Sequence, residues 1–242
     1  KEMSHAVQLN PLHIVIGEIQ NVVSAMRLNS RWASRSTLSA HEPLLAAFQD
    51  LRATLDREET LDSVDAHVYL KPFLNVIRSE ETSGPITGVA LGSLQKFVSS
   101  LINENSVNVS QAMYDIGYTV THCRFEATDP DSDEVVLMKI LQVLLACIRG
   151  AAGHLISDDM IFEMVQTCYR MAFQGRLSEL LRKIAESTLQ DVLISVFVRY
   201  GEYDADRIAK ENEQFEADSI QLEKYEQSKK EAENAKETKS KN

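Results

Sequence analysis

Residues 133–149 read Asp133-Glu134-Val135-Val136-Leu137-Met138-Lys139-Ile140-Leu141-Gln142-Val143-Leu144-Leu145-Ala146-Cys147-Ile148-Arg149, and this stretch decides the fold. It has neither Gly nor Pro, and its apolar side chains cover nearly every side of a helical wheel. The pattern predicts a central helix buried by neighbouring helices. Ser132 is the expected N-cap. Asp133 and Glu134 would oppose the positive helix end, and Gly150 supplies a stop after Arg149.

The flanking sequence provides the neighbours. Towards the C-terminus, Ser157 caps a helix to about Phe173, and a further one runs from about Ser178 to Tyr200 and stops at Gly201. Towards the N-terminus, one helix covers about Ser110–Arg124. Another opens at Gly84-Pro85 and runs through Leu101. Its Gly88 and Gly92, four residues apart, would let a neighbour approach closely, at a propensity cost of about 1 kcal/mol each. Earlier segments are Ala66–Arg78, with Pro72 as an alternative start for its longer part, and Pro43–Asp56. The first helix has Asn10 as cap and Pro11 at the first helical position. Its Leu12, Val15, Ile16, Ile19, Val22, Val23 and Met26 repeat at three- and four-residue steps, and residues 29–36 read as a loop.

These segments make about eight helices with no alternating strand pattern. The 9 Gly and 5 Pro among 242 residues leave few turns, which fits long elements. Helix pairs recur at roughly the 40–47-residue spacing of armadillo or HEAT units. The expected fold is therefore all-α: an armadillo/HEAT-like stack of about eight helices plus a polar C-terminal helix or tail, with a compact bundle as the alternative. After Gly201 the composition turns to Glu, Lys, Asp and Gln. Ile208, Phe215 and Leu222 form a thin stripe seven residues apart. The division expected is a helical domain over 1–201 and a charged helical or disordered linker over 202–242.

The net charge of −11 argues against broad nucleic-acid affinity and against adsorption to anionic lipid. Cys123, Cys147 and Cys168 are few and unpaired in spacing, as buried thiols in a reducing compartment would be. The longest apolar run falls short of the roughly 20 residues that cross a bilayer. No signal peptide opens the chain, so a cytosolic domain is expected, and the charged tail and Lys1 start suggest a piece of a longer protein. The six histidines are scattered singly. His122-Cys123 is the one adjacent His–Cys pair, and successive helical residues point about 100° apart, so a buried Cys beside a surface His is the better reading. No phosphate loop, dinucleotide turn or nucleophile elbow appears. The residues nominate no catalytic group, no cofactor and no metal ligand.

Several blocks carry a resemblance. Lys71-Pro72-Phe73-Leu74-Asn75-Val76-Ile77-Arg78-Ser79-Glu80, Gly84-Pro85-Ile86-Thr87-Gly88, Asp129-Pro130 with Ser132 through Leu144, and Arg176-Leu177-Ser178-Glu179-Leu180-Leu181-Arg182-Lys183 resemble the amino-terminal region of the large Golgi Arf guanine-nucleotide exchange factors. They resemble most the Golgi-specific brefeldin A-resistance branch, which Gly17-Glu18-Ile19 and Asn29-Ser30-Arg31-Trp32 also fit. The match runs in order from about Val15 to Val198. Asn103–Val109 and the tail beyond Gly201 depart from it.

The resemblance implies a dimerisation and cyclophilin-binding domain, an armadillo-like regulatory module of a multidomain exchange factor recruited peripherally to early Golgi membranes. It implies that catalysis resides in a separate exchange domain working through a glutamate finger. No part of this chain matches that motif, so the chain is expected to have no exchange activity of its own. Implied partners are a second copy, other domains of the same exchange factor, and cyclophilin. The resemblance also places Lys96 and Glu134 in the dimer interface. By themselves these residues read as a solvated helix lysine and a first-turn acid. A generic helical-repeat adaptor, binding a peptide or small GTPase without self-association, is the competing reading.

Overall fold

A computed structural model describes residues 10–30, 35–125 and 130–240, with side chains described over 10–29, 41–125 and 133–214. It contains α1 (Pro11–Ser30), α2 (Arg35–Leu55), α3 (Ala66–Arg78), α4 (Gly84–Ser100), α5 (Val109–Thr121), α6 (Pro130–Arg149), α7 (Asp158–Ala172) and α8 (Glu179–Ser240). One 3-10 turn, Gly153–Leu155, joins α6 to α7. The described residues include no strand, and the all-α expectation holds.

Elements close in the chain are close in space. α1 packs on α2 and α4, α2 on α3, and α3 on α4 and α5; α4 packs on α6, α5 on α6 and α7, and α6 on α7. None of these pairings reaches beyond the third following helix, as in a stack that grows by adding layers. The chain divides into two compact units, Lys1–Ser195 and Val196–Asn242. Helices α1 to α7 and the start of α8 belong to the first.

The caps follow local chemistry. The Asn10 side chain accepts from the Leu12 N–H at 3.0 Å, Asp65 from the His67 N–H at 2.8 Å, and Ser157 from the Met160 N–H at 3.4 Å. Each supplies an acceptor to an N–H that has no partner within its helix.

Three boundaries differ from expectation. First, α6 starts at Pro130 rather than after Ser132. The fixed φ of Pro130 suits a first helical position, so the backbone is already helical at Ser132. Second, α2 starts at Arg35 and carries Pro43 inside it. A proline there removes one N–H and crowds the preceding turn without ending the helix, so the loop foreseen over 29–36 shrinks. Arg31, Trp32, Ala33 and Ser34 of that loop lie outside the described residues, as do Ala127, Thr128 and Asp129 of the loop before α6.

Third, α8 continues through Gly201 to Ser240, where a stop was expected. None of the described glycines has a positive φ, so Gly201 adopts the helical conformation at a cost of about 1 kcal/mol relative to Ala. Downstream, Arg207 pairs with Asp204 at 2.8 Å and Glu211 at 2.9 Å along the helix surface, which offsets part of that cost. Of the expected stripe, Ile208 is 46% exposed, while the Phe215 and Leu222 side chains lie outside those described.

The core between α2, α3 and α4 is aromatic. Phe73 meets Phe48 and Phe97 edge-on, both at 5.0 Å between ring centroids, and Tyr69 meets Phe97 at 6.1 Å. α6 is the other centre of burial. Val136, Ile140, Leu141, Val143, Leu144, Cys147 and Ile148 are all buried, as its nearly all-apolar sequence foretold. One line stays open, because Val135, Gln142 and Arg149, seven residues apart, are exposed.

Candidate interaction surface

That open line of α6 forms one wall of a groove. The α4–α6 interface is the most extensive helix pairing among the described residues. Beside it, α1, α4 and α6 enclose a cavity of about 660 Å³ whose floor includes Gly84, Gly88, Val89 and Val136. A smaller cavity of about 370 Å³, lined by Gln95, Ser99, Gln142 and Leu145, continues along the α4–α6 seam. From Pro85 to Ser99 the furrow is roughly 21 Å long at the helical rise of about 1.5 Å per residue.

The glycines of α4 play a different part from the expected backbone-to-backbone approach. A Cβ on Gly88 would sit 3.6 Å from Lys139 Cδ, and one on Gly92 would sit 3.4 Å from Lys139 Nζ. The Lys139 side chain of α6 thus lies over both positions at ordinary van der Waals distance. Backbone crowding occurs instead at Gly150, where a Cβ would come within 2.9 Å of the Ala146 carbonyl and 3.3 Å of the Val98 carbonyl.

Lys96 lines this groove, and its side chain is 58% exposed. Its Nζ donates at 2.5 Å to Oε1 of Glu18, a residue only 7% exposed on the inward side of α1. Ser93 donates to the other carboxylate oxygen at 2.7 Å, and Asn21 to the first at 3.3 Å. Burial pushes the Glu18 carboxyl up. The hydrogen bonds from Lys96 and Ser93, the Lys96 charge and the Asn21 bond outweigh that push, and the carboxyl settles below its ordinary range.

Glu134 is engaged differently. Its Oε1 accepts from the Ser178 backbone N–H at 2.6 Å, and its Oε2 accepts from the Ser178 hydroxyl. The same Ser178 hydroxyl accepts from the Leu181 N–H at 3.2 Å and so caps α8. Because α6 starts at Pro130, Glu134 falls in its second turn rather than the expected first, and it ties that turn to the start of α8. The two Ser178 bonds, side-chain bond first, lower its carboxyl below the usual range.

Lys96 and Glu134 therefore do not touch each other. They lie on connected parts of one surface, because Val135 lines both the groove that holds Lys96 and a smaller cleft that holds Glu134. Sequence reasoning passed over Glu18 and Lys139. Signals for both were present: Glu18 falls three residues after Val15 and four before Val22 on the apolar face of α1, and Lys139 is the one charge between Val135 and Ile148.

The remaining reactive side chains are otherwise occupied. Burial pushes the Cys123 and Cys147 thiols up to about 12 and the Cys168 thiol to about 11. His122 stacks on Tyr118 at 4.2 Å, while the Cys123 sulfur lies 3.9 Å from the Ile77 carbonyl. The adjacent pair thus points to different surroundings. Among the described residues no cluster of His, Cys, Asp and Glu could hold a metal ion, and no helix is long and apolar enough to cross a membrane.

Comparison with known proteins finds relatives of this chain. Residues 18–203 match the model for the DCB domain, described as the Mon2/Sec7/BIG1-like dimerisation and cyclophilin-binding domain. The ARF guanine-nucleotide exchange factor GNOM of Arabidopsis thaliana is 39% identical over 186 residues, covering 74% of this chain and 13% of the relative. The Golgi-specific brefeldin A-resistance guanine nucleotide exchange factor 1 homolog of Caenorhabditis elegans is 40% identical over 195 residues, covering 78% and 10%. ARF guanine-nucleotide exchange factor 2 of Saccharomyces cerevisiae is 33% identical over 220 residues, covering 79% and 15%. The chain spans only a small part of each relative's length.

Proposed function

Because this chain belongs to the dimerisation and cyclophilin-binding domain family, we propose that it is the non-catalytic regulatory and dimerisation module of a multidomain Arf guanine-nucleotide exchange factor acting in ER–Golgi traffic. The similarity to exchange factors of plant, nematode and yeast supports the exchange-factor assignment. The Golgi placement rests on the name of the nematode relative. In this reading catalysis belongs to another domain of the full-length protein, and the chain alone does not accelerate GDP release from an Arf protein. Recruitment to early Golgi membranes is peripheral. Other domains of the same exchange factor and cyclophilin are its further partners.

Self-association uses the surface carrying Lys96 and Glu134. The observation that supports this most is the exposed Lys96 side chain at an open groove, held in place from below by a buried carboxylate. A positioned charge loses less conformational freedom on meeting a partner than a free lysine does. In a self-complementary interface opposite charges set register, while apolar contacts supply most of the affinity. Light scattering on the chain tests this. The wild type should show twice the monomer mass, and Lys96→Glu and Glu134→Lys should shift it towards monomer. A dimer unchanged in both variants would remove these residues from the interface.

The adaptor reading draws on the same groove, which could seat a helical peptide without self-association. It predicts a monomer at every concentration.

A further inference from the structure

We propose that Lys139 is the charge with which the α1–α4–α6 groove grips a second copy of this chain, by pairing with a carboxylate of the incoming protomer. This rests on the self-association reading above and identifies the residue that would select the partner.

Lys96 and Glu134 are already engaged within the chain, as is Arg149 at the far end of the furrow, which pairs with Asp191 at 3.2 Å. Lys96 has Glu18 at 2.5 Å, and Glu134 has Ser178. Lys139 differs. It is half-buried on the open side of α6, and among the described residues its ammonium has neither a hydrogen-bond partner nor an ion-pair partner. Its aliphatic stem lies over Gly88 and its Nζ beside Gly92, so the side chain is threaded along the groove floor, with its head next to the Lys96 end of α4. Long cationic side chains commonly cover apolar surface in this way while the head stays available. A cation set in a groove that is largely apolar gains most from a counter-ion when water is displaced, because the interaction strengthens as the local dielectric falls.

The occupant follows from charge and shape. The chain carries 36 Asp and Glu against 25 Lys and Arg, so its own surface is rich in carboxylates. The groove concentrates two ammonium groups, only one of them neutralised. A second copy, the partner that a dimerisation domain family points to, can bring one of these carboxylates to this spot, where local attraction to Lys139 works against the overall repulsion between two chains of net charge −11. The furrow has the length of about four helical turns, and its floor is made of glycine and valine. It suits a helix that presents a carboxylate among small apolar side chains.

The experiment measures the dimer dissociation constant of the whole 242-residue chain by analytical ultracentrifugation, at about 0.05 and about 0.5 M NaCl to vary the screening. Variants are Lys139→Met, Lys139→Glu and Ser24→Trp, each checked by circular dichroism and thermal melting. Met keeps the stem over the glycines and removes the charge; Trp at exposed Ser24 fills the groove from its α1 wall. Expected are a loss of about tenfold for Lys139→Met and about a hundredfold for Lys139→Glu. The salt dependence should flatten in Lys139→Met, an effect that lost packing would not produce. Ser24→Trp should weaken the dimer while leaving the monomer's melting unchanged. A wild-type dimer whose affinity all three variants retain overturns the role of Lys139 and leaves self-association standing through another surface. A wild type that stays monomeric overturns both readings.

Discussion

Replacing Glu18 with Gln exchanges one oxygen of a buried carboxylate for an NH2 group, and the structure sets the consequence. In the wild type the two oxygens accept from Lys96 at 2.5 Å, Ser93 at 2.7 Å and Asn21 at 3.3 Å. Gln can satisfy one side of that set but turns donors towards the other. Breaking a fully buried ion pair by removing one partner costs about 3–5 kcal/mol. Lys96 is 58% exposed, so water recovers much of its solvation and the expected loss falls to about 2 kcal/mol. For a unit of this size that corresponds to about 4–8 °C in melting temperature.

The sign with pH is fixed by the depressed carboxyl. Its folded-state value lies below the ordinary 4.5, so its contribution is fully present above that value and disappears as pH falls through the folded one. Urea unfolding of wild type and Glu18→Gln should therefore show the gap at pH 7 and a closing gap below about pH 4. Equal stability at pH 7, or a gap that persists undiminished at pH 3, would refute the reasoning.

Three further outcomes test the fold. Phe73→Ala removes the ring shared by the Phe48 and Phe97 contacts at a fully buried position and should destabilise by about 3–5 kcal/mol in chemical denaturation. Gly150→Ala would drive a Cβ against the carbonyls of Ala146 and Val98. It should lower stability by about 1–3 kcal/mol, whereas Gly88→Ala, with ordinary contacts to Lys139 and Val136, should be neutral or stabilising in the same assay. Ser178→Ala removes the cap on Leu181 and the hydroxyl link to Glu134. It should cost about 1 kcal/mol, with hydrogen exchange accelerated in the first turn of α8 while the α3 amides remain protected.

Much of the architecture was legible because helical periodicity is local. The apolar run from Val135 to Ile148 announced a buried central helix, and α6 is one. Asn10 and Ser157 stand where caps were expected, since an N-cap needs only an acceptor beside the first unpaired N–H groups. The boundaries that differ have local causes as well: Pro43 and Gly201 are residues that commonly begin or end a helix, yet a single unfavourable residue costs less than the helix on either side gains.

The surface was legible only in part. The sequence by itself determined the fold class, the family and the presence of two misfit charges, Glu18 and Lys139, in apolar patterns. The tertiary structure decided what those charges do. Only the packing of α1, α4 and α6 brings Glu18 within 2.5 Å of Lys96, 78 positions away in the chain, and leaves Lys139 in the groove without a counter-ion among the described residues. The central helix that first set the fold thus also supplies the open wall of its groove. Periodicity reports which side of a helix faces inward, whereas ion pairing depends on distances of a few ångströms between helices. Those distances are set by the side chains of every neighbour at once.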